Sequence, residues 1–481
     1  MLILPILLPV VVGILVFLQK EEAKRNRLVV LSVLLTAATA LACCLLPDQS
    51  LTLMTIEGTL TVTLAVDSVS RLFLIVICVI WALVAFFAFP YIKHEGKGQQ
   101  FFGFYTVTQG TLMGLALAAN FVTLYMFFEC MTLITSPLVL HDGRFSSRKA
   151  ALKYMGYSVF GAGVALAGFF FLAGYLTDQR FTPGGMLDPA RAAEHGHLLL
   201  VVYLLMVVGF GAKAGLLPMQ AWLTTAHPVA PAPASAVLSG IITKGGVLAI
   251  LRVTYYMYGA EFLQNTWAQK TLLILALATI FVGSMLAYKE QVLKKRLAYS
   301  TVSQVSYVLF GLLLLTPEGF CGGLLQVVFH AVVKNVLFLA AGAIIYNTHY
   351  TEVDQLRGIG QKMPVTMWCF TLGTLSLIGI PPMSGFISKW YLAMGAFHAA
   401  FPVVGMVGVV VLLVSALLTA GYLLPIVTRG FFPGADVTVE QKEVGPYMTI
   451  PLVILSAFAV LLGLFPNGLI HWLEGLSGLI F

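Results

Sequence analysis

Gly209-Phe-Gly-Ala-Lys213-Ala-Gly-Leu-Leu-Pro218 places one amine between glycines near the end of an apolar run that starts around residue 198. A helix crosses hydrocarbon with about 20 apolar residues, and a charge in its middle costs roughly 3 kcal/mol on insertion scales. Gly211, Gly215 and Pro218 leave backbone groups without helical partners, which membranes tolerate only where the chain lines a cavity or a polar path. A second stretch repeats the combination: Gly379-Ile-Pro381-Pro382-Met-Ser-Gly385 is followed by Lys389. Two Gly/Pro-interrupted spans, each with a lysine, point to a transporter built from inverted repeats.

Working outward, the 481 residues are 59% hydrophobic and only 10% charged, with a net charge of +7 and a mean hydropathy of +0.95. A soluble domain carries roughly a quarter charged residues. The composition therefore excludes a soluble enzyme, a disordered tail and a nucleic-acid binder, and specifies an all-α polytopic membrane protein. Apolar runs lie near 2–18, 28–46, 69–90, 101–119, 121–140, 154–176, 198–217 and 232–257, then near 271–287, 299–315, 319–346, 364–398, 402–428 and 447–465. They predict fourteen spans, and residues Asn467 to Phe481 predict a short interfacial helix anchored by Trp472. The apolar start, Met1 to Leu18, lacks a basic leading region and reads as a first span.

The loops test the count. With an exterior N-terminus, the loops 19–27, 91–100, 141–153, 218–231, 288–298, 347–363 and 429–446 face inward and carry 18 Lys and Arg. Only Arg180, Arg191 and Lys270 lie in the opposite loops, the asymmetry that positive-inside topology requires. Both termini are predicted to lie outside the cell membrane. The expected organisation is 1–100 for spans 1–3, 101–257 for a first five-helix repeat (spans 4–8), 271–428 for an inverted second repeat (spans 9–13), and 429–481 for span 14 and the tail. Helices 7 and 12 are the broken ones.

Seven charges fall inside spans. Arg71, four residues after Asp67, suggests a helix-end pair, and Arg252 suggests snorkelling beside Tyr255 and Tyr256. Glu129, Lys213, Lys244, Lys334 and Lys389 are deeper, and His330 shares a helix face with Lys334 at i, i+4. One carboxylate cannot neutralise four lysines. Charges of this kind either fix helix register as ion pairs or carry protons; the excess of amines favours proton carriage. The six cysteines sit singly or adjacent in apolar runs, with no metal-ligand spacing.

The stretch from Ala212-Lys213 through Pro218, Trp222 and His227, with Ala230-Pro-Ala-Pro-Ala-Ser235-Ala-Val-Leu-Ser-Gly240 and Lys244, resembles the signature of the antiporter-like subunits of respiratory complex I, membrane-bound hydrogenases and Mrp-type sodium/proton antiporters. Phe127-Phe-Glu129, Leu297-Ala-Tyr-Ser300, His330 to Lys334 and Gly379 to Lys389 extend the resemblance from span 5 to span 13. It implies a proton pathway in which Glu129 pairs with Lys213, Lys244 and His330 pass protons laterally, and Lys389 exchanges with the outside. Lysine at 389 departs from one complex I subunit type and fits the second complex I type, the Mrp-type partner or a hydrogenase homologue, and the stretches Ser384 to Lys389 and Ser415 to Pro425 look closer to the Mrp and hydrogenase branch. The resemblance also implies partners: other antiporter-like and small membrane subunits, and a redox module in some assemblies. No motif for NADH, flavin, quinone, an iron–sulfur cluster or another metal is present, so no cofactor is expected on this chain. A stand-alone cation or solute carrier is the alternative function, and a structural subunit with register-fixing charges is a third.

Overall fold

In the computed structural model, which describes residues 1–47, 49–56, 60–434 and 442–481, the chain forms a bundle of helices with one β-hairpin. Every apolar run of the sequence carries a helix. Among the described residues, ten helices are long and apolar enough to cross a membrane, and Leu4–Leu18 and Pro364–Ile378 are apolar but shorter. The remaining runs fall short of that criterion for local reasons. Gly98–Ala116 is diluted by three glutamines and several threonines, and Leu293–Leu313 opens on Lys294-Lys295-Arg296.

The bundle is graded from core to rim. The apolar stretch of Pro402–Phe431 is 28% buried, whereas those of Ala232–Tyr258 and Pro317–Thr348 are 100% and 94% buried. The helices with Lys244, His330 and Lys334 are thus the enclosed centre, and these polar groups are screened from lipid by the rest of the protein.

Both predicted breaks are present. Helix Gly196–Ala214 stops at Gly215, whose φ of +85° is open to glycine and strained for other residues. A new helix, Ala221–Val229, follows. The segment 218–231, expected as a loop, is therefore largely the second half of the broken helix, with Trp222 and His227 fully buried. Likewise Pro364–Ile378 ends at Gly379, φ +90°, and Ser384–Phe397 resumes after Pro381 and Pro382. The tail forms helix Asn467–Ser477, with Leu473 and Leu476 buried and Trp472 packed at the edge of the core.

Two features depart from the sequence reading. Strands Ser50–Ile56 and Leu60–Ala65 pair antiparallel between the second and third apolar helices, a hairpin that hydropathy alone does not announce. Asp67 then caps helix Ser68–Glu95 through Ser70 and receives Arg252 in a two-pronged ion pair at 2.5 and 2.9 Å. Arg252 is 2% exposed and stacks 4.4 Å from the Tyr256 ring. It does not snorkel; it ties the third apolar helix to the eighth, while Arg71 donates to the Leu46 carbonyl.

Candidate functional site

Lys213 ends the first half of its broken helix. Its Nζ lies 2.9 Å from Thr132 Oγ1, 2.5 Å from Tyr154 OH and 3.5 Å from Ser158 Oγ. The side chain is fully buried, with the amine 4.2 Å from the centre of the Tyr154 ring. Tyr154 OH also bonds Thr135 Oγ1 at 2.5 Å, and Trp222 packs on the Tyr154 ring while its Nε1 donates to the Ala212 carbonyl, 2.7 Å away. That indole satisfies one carbonyl freed by the helix break.

Glu129 stands one helical turn before Thr132. Its Oε1 is buried without a hydrogen-bond partner among the described residues. The amine expected to pair with it is seated on hydroxyls instead, so the structure holds Lys213 near Glu129 but not in an ion pair with it. Gly246 allows the next helix to approach: a Cβ there would lie 2.8 Å from Ala214 N and 3.0 Å from Lys213 Cβ.

That helix contains a π-helical turn, Leu238–Ile242, immediately before Lys244. The widened turn frees the Ser239 carbonyl, which accepts from Lys244 Nζ at 2.7 Å. The same amine lies 2.5 Å from His330 Nδ1. Of all expected site residues, Lys244 and His330 are the two brought into direct contact.

Among the described residues, His330 Nε2 is buried without a partner, as is Gln304 Nε2. Both side chains border a small cavity of about 10 Å³, together with Gln326 and Lys389. That is the size of a single water site. Gln326 Nε2 donates to Gln304 Oε1 at 2.9 Å, and Ser388 Oγ donates to Gln326 Oε1 at 2.6 Å. Lys389 Nζ donates to the Leu377 and Ile378 carbonyls, 2.6 and 2.5 Å away, closing the end of the preceding half-helix. Lys213 thus precedes its break and Lys389 follows its own.

Lys334 does not contact His330 despite sharing its face. Its Nζ turns to the Leu297 carbonyl at 3.0 Å and to Ser300 Oγ at 2.7 Å, and Tyr422 OH lies 2.9 Å beyond. His227 stacks 4.9 Å from the Phe338 ring, and neither ring nitrogen has a partner among the described residues. Tyr154, Thr132, Gln304, Gln326 and Tyr422 were not singled out from the sequence. A polar side chain within an apolar run was the available signal, but hydroxyls and amides are common enough there to be overlooked.

The site is a row of amines and imidazoles with hydroxyls and amides beside them and a broken helix at either end. Residues 118–419 match the family described as NADH:quinone oxidoreductase/Mrp antiporter, transmembrane. The chain belongs to that family. It is 32% identical over 420 residues to the NADH-quinone oxidoreductase subunit N of Desulforudis audaxviator, covering 82% of this chain and 81% of that one. It is 30% identical over 428 residues to the hydrogenase-4 component B of Escherichia coli, covering 84% of this chain and 62% of that one. Its fold is similar to a chain of the Mrp complex from Dietzia sp. DQ12-45-1b, with a TM-score of 0.82 at 22% identity over 99% of this chain and 96% of that chain.

Proposed function

We propose that this antiporter-like subunit moves protons through a mid-membrane chain of Glu129, Lys213, Lys244, His330 and Lys389, with Lys334 as a branch, within a multi-subunit ion pump of the cell membrane. The observation that carries the reading is the contact at the centre of the row. Lys244 and His330 are in contact at 2.5 Å, and the gap from His330 to Lys389 is bordered by two unpartnered donors and has room for one water.

Lys213 has two seats within reach, the hydroxyl cage seen here and the Glu129 carboxylate one turn away. A charge displaced in a neighbouring subunit shifts the amine between them, and an amine without its carboxylate gives up its proton more readily. The proton then passes towards Lys244. Relatives from the quinone-oxidoreductase and hydrogenase branches match at similar identity, so the reading commits to the shared proton path and not to one assembly.

The same proposal takes the apolar runs as fourteen spans with both termini outside, and spans 4–8 and 9–13 as inverted repeats. Repeated packing supports this: Gly98–Ala116 lies on Phe121–Val139 as Trp267–Lys289 lies on Leu293–Leu313, and Phe145–Leu172 packs on the first broken helix as Pro317–Thr348 packs on the second. In membrane vesicles containing the assembled complex, Lys213→Ala is expected to abolish proton movement, followed by a pH-sensitive dye, while subunit assembly persists. Proton movement at the unmodified rate would overturn the proposal.

A further inference from the structure

We propose that the groove between helices Glu22–Leu45 and Pro446–Leu464, floored by Ser68–Glu95, binds one anionic phospholipid, headgroup at the basic-loop end and acyl chain along the helices. Both outer helices pack on the floor helix, and the space between them forms two adjoining cavities of about 760 and 350 Å³ that share Phe86 and Tyr447.

The lining changes character with depth in the same order on Glu22–Leu45 and on the floor helix Ser68–Glu95. At one end stand Glu22, Asn26, Arg27 and Lys93; further in are Val30, Leu31, Leu34 and Phe86; the adjoining cavity is wholly apolar, ending at Leu83 and Ile454. From Glu22 to Leu34 the groove runs about 18 Å at 1.5 Å per residue. That is about the depth of one leaflet, half of a roughly 30 Å hydrocarbon core plus its polar edge. Pro90 and Pro451 lie inside helices that form its sides and border the groove, where the missing backbone N–H loosens the helix wall.

Charge selects the occupant. Glu22 and Lys93 neutralise each other at 3.3 Å. Arg27 has no ion-pair or hydrogen-bond partner among the described residues, although it lines the mouth of the groove. The helix Pro446–Leu464 also begins there, at Tyr447, with the positive end of its dipole towards the same level. A guanidinium at headgroup depth above an apolar slot fits a phosphodiester with a net negative headgroup. A neighbouring helix would have to supply a carboxylate at that one height to do the same.

The full-length chain in mild detergent, titrated with 1-palmitoyl-2-oleoyl-phosphatidylglycerol or with the phosphatidylcholine of the same chains, is read by native mass spectrometry. One phosphatidylglycerol is expected to stay bound, about fivefold more tightly than phosphatidylcholine, because one cation near the surface contributes about that factor. Arg27→Gln should remove the preference, and Leu31→Trp, which fills the slot from an exposed position, should weaken both lipids. Equal retention of the two lipids by the unmodified chain would overturn the proposal, as would Arg27→Gln keeping the preference. So would a photo-crosslinker at Leu31 that, in native membranes, labels a partner helix and no lipid.

Discussion

Tyr154→Phe isolates the seat on which Lys213 rests. The substitution keeps the ring that packs on Trp222 and removes one oxygen, the one 2.5 Å from the amine. Thr135 is not orphaned, since its hydroxyl also donates to the Met131 carbonyl at 2.7 Å. The loss therefore falls on the amine. A hydrogen bond to a charged group contributes about 1.5–3 kcal/mol; about 2 kcal/mol shifts Lys213 roughly 30-fold towards Glu129, at the tenfold per 1.4 kcal/mol of any equilibrium. If leaving Glu129 is part of each cycle, the rate of proton movement in vesicles of the assembled complex falls by about tenfold or more, with assembly unchanged. Ser158→Ala is the contrast: its oxygen is 3.5 Å away, at the limit of hydrogen bonding, and the rate should change less than about twofold. Tyr154→Phe running at the unmodified rate, in a protein that Lys213→Ala silences, would refute the two-seat mechanism.

Two other substitutions test packing and charge. Gly246→Ala places a methyl 2.8 Å from the Phe210 carbonyl and Ala214 N; such overpacking costs about 1–3 kcal/mol and should lower the thermal midpoint seen by fluorescence-detected size exclusion, whereas Gly163→Ala, with open space around its Cβ position, should not. Arg252→Gln leaves Asp67 without its cation; a broken buried pair costs about 3–5 kcal/mol, and because the Asp67 side chain is 33% exposed the lower end is expected, as a loss of thermal stability in the same assay.

Much of this molecule is legible in one dimension because hydrocarbon is an intolerant solvent. Each apolar run became a helix, and the charges that had no place in oil, Glu129, Lys213, Lys244, Lys334 and Lys389, mark the polar row. The glycines and prolines at both breaks did the same for the interrupted helices. What stayed hidden is what costs little to conceal. The half-helix Ala221–Val229 mixes Trp, Thr, His and Pro between prolines and has the hydropathy of a loop; only enclosure by neighbours makes it a buried helix. Serine and threonine hydroxyls satisfy themselves on the carbonyl one turn back, so nothing in the sequence distinguishes Thr132, which holds Lys213, from Thr106, which bonds only its own helix. Asp67 and Arg252 stand 185 residues apart, a pairing that no local spacing reveals.

An ammonium nitrogen offers three hydrogens, and Lys389 commits two of them to the paired carbonyls at the end of a helix. Neither carbonyl can hand a hydrogen back. One vertex of the tetrahedron is left for traffic. Lys334 is likewise held at two points, whereas Lys244 has one fixed carbonyl and, at its second point, the imidazole that the proposal makes its exchange partner. On the proposed pathway, the corner left vacant at each amine would set the direction of travel, and a mutation that adds a third acceptor would jam that station without altering its charge.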